Sequence, residues 1–473
     1  MIKLNDVSFR YDGSNEDNLL CISLKIKSGE CVVLTGKSGC GKTTITRLLN
    51  GLIPSFYSGN LSGSVTLSGK DITGWEPHML SQMVGSVFQN PRTQFFCTDT
   101  DSELVFGMEN CGVGYEEMHR RHNSTVNSLR LESLCSRDIF ALSGGEKQRI
   151  AFGSVYALSP DIYVLDEPSA NLDSAMVEQL KDTLITLKNL GKTILIAEHR
   201  LYYLKDIADR IILMKDGKIV NEWNSRELSA MPPDSISKLG LRSLYECNPP
   251  ISTNTIPCER PVLEIQNLSA AYKETGTVFE NLSLSICEGE IVGIVGDNGF
   301  GKSTLARTIC GLHREKGGKI LFNGKEVKHK NRCSPAYLVM QDPNYQLFCE
   351  SVESELRFSA KGAEQSETDT SELLQTLDLA AFTYSHPLAL SGGQKQRICI
   401  AVAALSKAKI LIFDEPTSGL DYENMQSVAS IMKTLASKGK TILVITHDRE
   451  FIHAACTRTI MFKKNKPNIE SEE

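Results

Sequence analysis

The sequence predicts an α/β protein built from one domain written twice, each copy a buried parallel sheet with an added antiparallel sheet. Three observations predict it. Long stretches recur at near-constant offsets, short continuous apolar runs alternate with helix-like stretches, and each copy places a glycine-rich loop between such a run and a helix.

The repeat sets the organisation. "GKSGCGKT" (Gly36–Thr43) returns as "GDNGFGKS" (Gly296–Ser303), 260 residues on, and "VFQNPRTQFF" (Val87–Phe96) returns as "VMQDPNYQLF" (Val339–Phe348), 252 residues on. "LSGGEKQRI" and "LSGGQKQRI", "YVLDEPSANLD" and "LIFDEPTSGLD", and "TILIAEH" and "TILVITH" all share an offset of 248. The second copy is therefore shorter between the first and third landmarks and in register afterwards. Each copy spans roughly 200 residues, the length of a domain rather than of a solenoid repeat. The expected boundaries are a first domain over 1–225, a linker over 226–261 and a second domain over 262–465. "MPPDSISKLG" and "NPPISTNTIPCERP" are rich in Pro, Ser and Asn and lack periodicity, as linkers do. Between them "SISKLGLRSLYE" has room for a helical turn or two, and the final "KKNKPNIESEE" reads as a solvated tail.

Within each copy the elements follow one order. The openings, "IKLNDVSFRY" and "LEIQNLSAAY", alternate and predict the antiparallel sheet. "ECVVLTG" and "EIVGIVG" are continuous apolar runs before the glycine loop; "DIYVLDE" and "KILIFDE", then "KTILIAEH" and "KTILVITH", are similar. Runs of that kind, alternating with helical stretches such as "SVASIMKTLASKG", predict strands buried on both faces of a parallel sheet.

Composition narrows the function. Of the 473 residues 41% are hydrophobic and 23% charged, which is globular, and the net charge of −6 argues against nucleic acid as the main partner. No apolar run approaches the ~18 residues a bilayer span needs, and "MIKLNDVSFRYDG" has no signal-peptide core. A cytosolic location follows, with any membrane role supplied through a partner. The 14 cysteines include no C-x-x-C pair and no zinc spacing. Those inside apolar runs, Cys31, Cys310 and Cys399, are expected to be small buried hydrophobes in a reducing compartment.

Gly-x-x-x-x-Gly-Lys-[Ser/Thr] between a strand and a helix is the P-loop. In copy one it comprises Gly36, Lys37, Ser38, Gly39, Cys40, Gly41, Lys42 and Thr43, followed by Thr44. In copy two it comprises Gly296, Asp297, Asn298, Gly299, Phe300, Gly301, Lys302 and Ser303, followed by Thr304. Its backbone N–H groups wrap phosphates, the lysines reach the β- and γ-phosphates, and Thr43 and Ser303 hold Mg²⁺ through their hydroxyls. Asp166 and Asp414 each end an apolar strand, where a carboxylate holds the magnesium ion; Glu167 and Glu415 follow, placed to act on the attacking water. His199 and His447 each lie 33 residues after the strand aspartate, at the next strand's end, and are candidates to hydrogen-bond the γ-phosphate. Gln89 and Gln341, at another strand end, can ligate Mg²⁺ or orient water. Tyr11 and Tyr272 close the first strand of each copy, where a ring either stacks on adenine or serves as an ordinary core aromatic. Ser143, Gly144 and Gly145, matched by Ser391, Gly392 and Gly393, are small residues at a helix start, suited to donating to an anion.

Together these residues resemble the ATP-binding-cassette family over about nine-tenths of the chain, with its motifs in the family's order, twice. The resemblance implies two nucleotide-binding domains, each with a RecA-like core, an antiparallel β subdomain and a helical signature subdomain, and it implies ATP and Mg²⁺ as ligands. It implies that the signature of one half serves the nucleotide of the other: "LSGGEKQRI" the ATP on Lys302, "LSGGQKQRI" the ATP on Lys42. Asp173 and Asp421 would couple the sites. Departures are small, Glu146 for the commoner Gln and "SANLD" for "SGLD", so two hydrolytic sites are expected.

The segments "QNPRTQFFCTDTDSELVFGMEN" and "QDPNYQLFCESVESELRFSA" share Gln-x-Pro-x-x-Gln-x-Phe followed by an acidic amphipathic stretch. This looks like the ATPases of energy-coupling-factor importers for vitamins and transition-metal ions. In that group the segment lines a groove gripping a transmembrane subunit, with Phe95, Phe96, Leu347 and Phe348 as apolar contacts; the alternative is that these side chains pack inside the helical subdomain. The implied partners are a membrane scaffold and a small substrate-binding membrane protein, which would hold this chain at the cytoplasmic face of the membrane. The competing readings are an ATPase of a monosaccharide or peptide importer and a soluble tandem ATPase acting on ribosomes or in DNA repair. The first usually lacks this pattern in both halves, and the second usually carries a long charged linker or zinc cysteines.

Overall fold

The computed structural model describes residues 2–14, 16–170, 172–247, 261–272, 276–360 and 367–462. Asn171 of "SANLD", the stretch 248–260 and the tail 463–473 lie outside these. The chain divides into two compact units, Met1–Tyr245 and Glu246–Glu473.

In the first unit the strand Cys31–Gly36 is buried at every position. It lies between Thr193–Ala197 and Arg210–Lys215, parallel to both. Ile162–Asp166, also buried throughout, pairs parallel with Thr193–Ala197 on one side and Val84–Val87 on the other. The apolar runs read as continuous because both faces of this sheet are covered. Lys218–Asn224 closes one edge, antiparallel to Arg210–Lys215. The opening strand Ile2–Tyr11 pairs antiparallel with Leu19–Ile26 and Gly59–Leu67. Its inward residues Ile2, Leu4, Val7 and Phe9 pack in one core with Val32, Leu34 and Ile45. That contact seats the antiparallel sheet against the glycine loop and its helix, Lys42–Leu49.

The second unit repeats this plan. Ile291–Val295 lies between Thr441–Ile445 and Arg458–Met461, and Ile410–Asp414 and Ala336–Val339 follow, five parallel strands among the described residues. Pro261–Tyr272 pairs antiparallel with Gly276–Cys287 and Gly317–Phe322. Each unit also has a helical part. In the first, Leu104, Val126, Leu131 and Ile150 join Thr100–Asn110, Tyr115–Leu129 and Gly144–Leu158. In the second, Val352, Leu356 and Leu374 pack with Ile398 of Gly392–Leu405.

One expectation changes. Residues 226–245, expected as linker, belong to the first unit. Ser225–Ser229 and Pro233–Lys238 are short helices, and Leu228, Ile236, Leu241 and Leu244 are buried against Leu187, Leu204 and Ile207. The Pro- and Ser-rich composition masked four apolar anchors, and burying such side chains stabilises by about 1.5–3 kcal/mol each. The cysteine expectation holds where it was made, since Cys31, Cys310 and Cys399 are buried and free; Cys287, outside that set, is disulfide-bonded. Among the described residues no helix is long and apolar enough to cross a membrane.

Candidate nucleotide-binding sites

The two glycine loops are built by backbone shape. Gly36, Gly39 and Gly41 have φ of +137°, +83° and +104°. A Cβ on Gly36 would sit 2.1 Å from the Met214 carbonyl oxygen, and one on Gly296 would sit 2.2 Å from that of Phe462. Only glycine fits where the loop crosses the neighbouring strand. The Lys42 ammonium is buried and donates to the carbonyls of Gly36 (2.8 Å) and Lys37 (3.0 Å). Lys302 does the same to Gly296 and to Asp297 (2.9 Å). Each lysine is thereby folded into its own loop, at the start of a helix whose dipole favours anions.

The strand-end carboxylates stand beside the loops. The Thr43 hydroxyl donates to Asp166 Oδ1 at 3.2 Å, and Ser303 hydrogen-bonds Asp414. Burial and then the neighbouring Glu167 push the Asp166 carboxyl up to about 7, against the Thr43 bond. Burial likewise raises Asp414, opposed by Ser303, Arg307 and Lys302. A desolvated carboxylate with a hydroxyl oxygen beside it is a donor set that suits a hard divalent cation.

Glu167 and Glu415 are held in the left-handed region, φ +46° and +51°, which costs about 1–2 kcal/mol for a residue with a Cβ. The strand ladder holds that conformation: their N–H groups donate to the carbonyls of Ala197 and Ile445, each at 2.8 Å. Around Glu167, Gln89 Nε2 donates to Oε2 at 2.7 Å and His199 Nε2 lies 3.4 Å from Oε1. Around Glu415, His447 Nε2 lies 3.7 Å from Oε1 and 3.1 Å from Asn298 Oδ1 of the glycine loop. Aspartate, glutamate and histidine thus converge in both units. Gln89 joins the glutamate in the first unit; both Gln89 and Gln341 are exposed.

Each tyrosine hydroxyl bonds the threonine after the P-loop, Tyr11 to Thr44 and Tyr272 to Thr304, both at 3.3 Å. Both rings therefore stand beside the nucleotide loop. Arg47 donates to the Tyr11 hydroxyl at 3.0 Å, and the Tyr272 ring centroid lies 4.5 Å from that of His313.

The signature serines cap the helices Gly144–Leu158 and Gly392–Leu405. The Ser143 hydroxyl accepts from Glu146 N while Glu146 accepts from Ser143 N at 2.8 Å; Ser391 and Gln394 repeat the pattern. Glu146 for Gln is neutral to this capping box, since either side chain closes it. Ser143 and Gly144 are exposed, and a hydroxyl that accepts in a cap still has its hydrogen to donate outward.

The groove quartet divides. Phe96 and Phe348 are 75% and 72% exposed, but Phe95 packs against the helical core and Leu347 is buried in it. The chain direction alternates side chains outward and inward here, so neighbours part company.

Sequence reasoning missed several residues. Glu103 and Glu355, buried in the acidic stretches, accept from the N–H groups of Phe96 and Cys97 (3.0 and 2.8 Å) and of Phe348 and Cys349. Gln94 and Gln346, the second glutamines of the Gln-x-Pro-x-x-Gln-x-Phe pattern, had no role read for them; they tie the same segment to its strand through Ser86 O (3.2 Å) and Leu338 O (2.6 Å). Glu198, buried, accepts from Ser169 Oγ (2.7 Å), His199 N (2.7 Å), Arg200 N (3.1 Å) and Tyr203 OH (2.9 Å). The available signal was the repeat itself: Glu198 aligns with Thr446, a mismatch beside a matched histidine.

A parallel-sheet domain with a glycine loop, a strand-end Asp-Glu and a convergent histidine, present twice in one chain, defines a tandem P-loop nucleotide hydrolase. The model of the "ABC transporter" family matches residues 19–170 and 279–418. The chain belongs to that ATP-binding-cassette family, whose members bind and hydrolyse ATP with Mg²⁺. A Treponema denticola relative named "Putative ABC transporter ATP-binding protein" is 46% identical over 98% of this chain and 96% of its own length. A Bacillus subtilis relative named for HMP/thiamine import is 31% identical over 96% and 88%. Among solved structures, a model of ribosome-bound archaeal Pelota and ABCE1 matches at TM-score 0.70 and 24% identity, over 96% of this chain and 76% of that one. At that identity the likeness shows the fold.

Proposed function

We propose that this chain is the fused ATPase subunit of an energy-coupling-factor importer for a vitamin or a transition-metal ion. The observation that carries the reading is the exposed phenylalanine of each half. Phe96 and Phe348 project from segments whose backbone is pinned by the buried carboxylates Glu103 and Glu355. A large apolar side chain held rigidly in water suits a protein partner, because little ordering entropy is lost on docking. The import named for the Bacillus subtilis relative supports the vitamin class.

In this reading each glycine loop wraps the phosphates, and Lys42 and Lys302 exchange their loop carbonyls for phosphate oxygens. Thr43, Gln89 and Asp166 in one half, and Ser303, Gln341 and Asp414 in the other, hold Mg²⁺, which when bound neutralises phosphate charge. Glu167 and Glu415 accept the proton of the attacking water, and His199 and His447 hydrogen-bond the γ-phosphate. Tyr11 and Tyr272 meet the base. Ser143, Gly144 and Gly145 complete the site of Lys302, and Ser391, Gly392 and Gly393 that of Lys42. ATP then stabilises one state of the pair and hydrolysis removes that stabilisation. Membrane subunits hold the chain at the cytoplasmic face.

The test is a mild-detergent affinity purification of the chain from membranes, with copurifying proteins identified by mass spectrometry. A stoichiometric polytopic scaffold with a small second membrane protein is expected. Ribosomes, or no membrane partner despite intact ATP hydrolysis, would overturn the importer reading.

A further inference from the structure

The two copies are in register from the strand aspartate to the histidine, so the molecule carries its own control. Around the histidine the copies diverge: Glu198-His199-Arg200 in the first, Thr446-His447-Asp448 in the second. Each half must place a buried acceptor for one hydroxyl, Ser169 or Thr417. In the first half Glu198 accepts from Ser169 Oγ at 2.7 Å. In the second the carboxylate stands two residues later, and Asp448 accepts from Thr417 Oγ1 at 2.8 Å. The position before the histidine is thereby released from that duty.

Thr446 occupies it, fully buried. Its Oγ1 donates to Glu415 Oε2 at 2.9 Å and accepts from the Asp448 N–H at 3.1 Å. A hydroxyl has one hydrogen. With the Asp448 N–H on its oxygen, that hydrogen is directed to the glutamate. In the first half the corresponding oxygen, Glu167 Oε2, accepts instead from Gln89, an exposed residue on the loop after its strand.

We propose that Thr446 is a positioning residue for Glu415, fixing the rotation of its carboxylate so that Oε1 faces the water, and that the two sites are inequivalent in how their glutamates are held. Glu415 is oriented from within its own sheet, and Glu167 by a loop glutamine. The inference rests on the reading of Glu415 as the group that acts on water.

The experiment compares the full chain with Glu415→Gln, Thr446→Val and Thr446→Ser. It records kcat and KM for ATP, the binding of fluorescent N-methylanthraniloyl-ATP, and Tm. A hydrogen bond to a charged group is worth about tenfold or more in an equilibrium, so Thr446→Val is expected to remove about nine-tenths of the turnover that Glu415→Gln removes. KM and nucleotide binding are expected to hold, because Thr446 does not touch nucleotide, while Tm falls by about 2–12 °C as the buried Asp448 N–H loses its acceptor, a loss that serine reverses. Thr446→Ser keeps the hydroxyl and is expected to restore turnover to within about twofold of the parent. If Glu415→Gln lowers turnover and Thr446→Val does not, the inference fails and the reading of Glu415 stands. If Glu415→Gln leaves turnover intact, that reading fails and takes the inference with it. Loss of nucleotide binding or Tm in Thr446→Val without rescue by serine marks a purely structural threonine and also overturns it.

Discussion

Replacing Glu198 separates two explanations of how the first half is held together. Its carboxylate is 2% exposed and accepts from the Ser169 hydroxyl and N–H, the N–H groups of His199 and Arg200, and the Tyr203 hydroxyl, at 2.7 to 3.3 Å. Glu198→Ala deletes the acceptor and leaves those donors desolvated. Each buried, unsatisfied donor costs about 1–3 kcal/mol, non-additively, so a total of about 3–5 kcal/mol is expected. For a unit of this size a loss of 1 kcal/mol lowers Tm by about 2–4 °C, which puts the first unit's transition about 6–20 °C lower. Glu198→Gln is the discriminating partner. Its amide oxygen still accepts from the His199 and Arg200 N–H groups, and its NH₂ can donate to the Ser169 and Tyr203 hydroxyls once these rotate. The cost should therefore stay near 1 kcal/mol, with only the Ser169 N–H left in conflict. Calorimetry of the full chain reads both variants. An alanine variant whose first transition moves by less than about 2 °C, or a glutamine variant as damaged as alanine, would refute the argument that acceptor geometry rather than net charge matters here.

Three further outcomes are expected. Without metal, Asp166 holds its proton more tightly in the folded chain than unfolded, about 7 against 3.8, because burial and then Glu167 oppose its charge. The cost of ionising it is absent below the unfolded value, grows as pH rises and is complete above about 7, where it reaches about 4 kcal/mol. Asp166→Asn should therefore stabilise the metal-free chain more at about pH 8 than at about pH 5. Urea unfolding at the two pH values measures this, and an equal gain at both would contradict it. Glu167→Gln and Glu415→Gln should each cut turnover at their own site by about 10²–10⁴ with nucleotide binding retained, read by steady-state and single-turnover hydrolysis. Gly36→Ala sets a Cβ 2.1 Å from the Met214 oxygen at φ +137°, so it should cost about 1–3 kcal/mol of stability and weaken ATP binding in equilibrium titration.

Much of each site was legible because phosphate chemistry dictates spacing. A loop that wraps phosphates needs glycine at Gly36 and Gly41 and an ammonium at Lys42, whatever surrounds them. The strand-end Asp166 and Asp414 were legible for a related reason, since the sheet delivers whatever follows an apolar run to one edge. What was not legible depends on packing between distant segments. Phe95 and Phe96 are neighbours of the same type, and only the helical core against them sends one inward and one outward. Leu228, Ile236, Leu241 and Leu244 sit in a stretch with the composition of a linker, and the surface that receives them is contributed by residues some way back in the chain. Glu198 reads as an ordinary polar residue until Ser169 and Tyr203 are brought onto it.

The displaced carboxylate also constrains how this molecule can change. Converting the Thr446-His447-Asp448 arrangement into that of Glu198-His199-Arg200 takes two substitutions, and either order passes through an unfavourable intermediate. Changing the threonine first buries two carboxylates around one histidine; changing the aspartate first leaves the Thr417 hydroxyl without its acceptor. Neither half can drift into the other's arrangement one residue at a time. Sequence exchange between the two halves of the gene would have to carry the whole tripeptide to leave a working site. The two-residue displacement of one acid thereby keeps the two arrangements distinct inside a single chain.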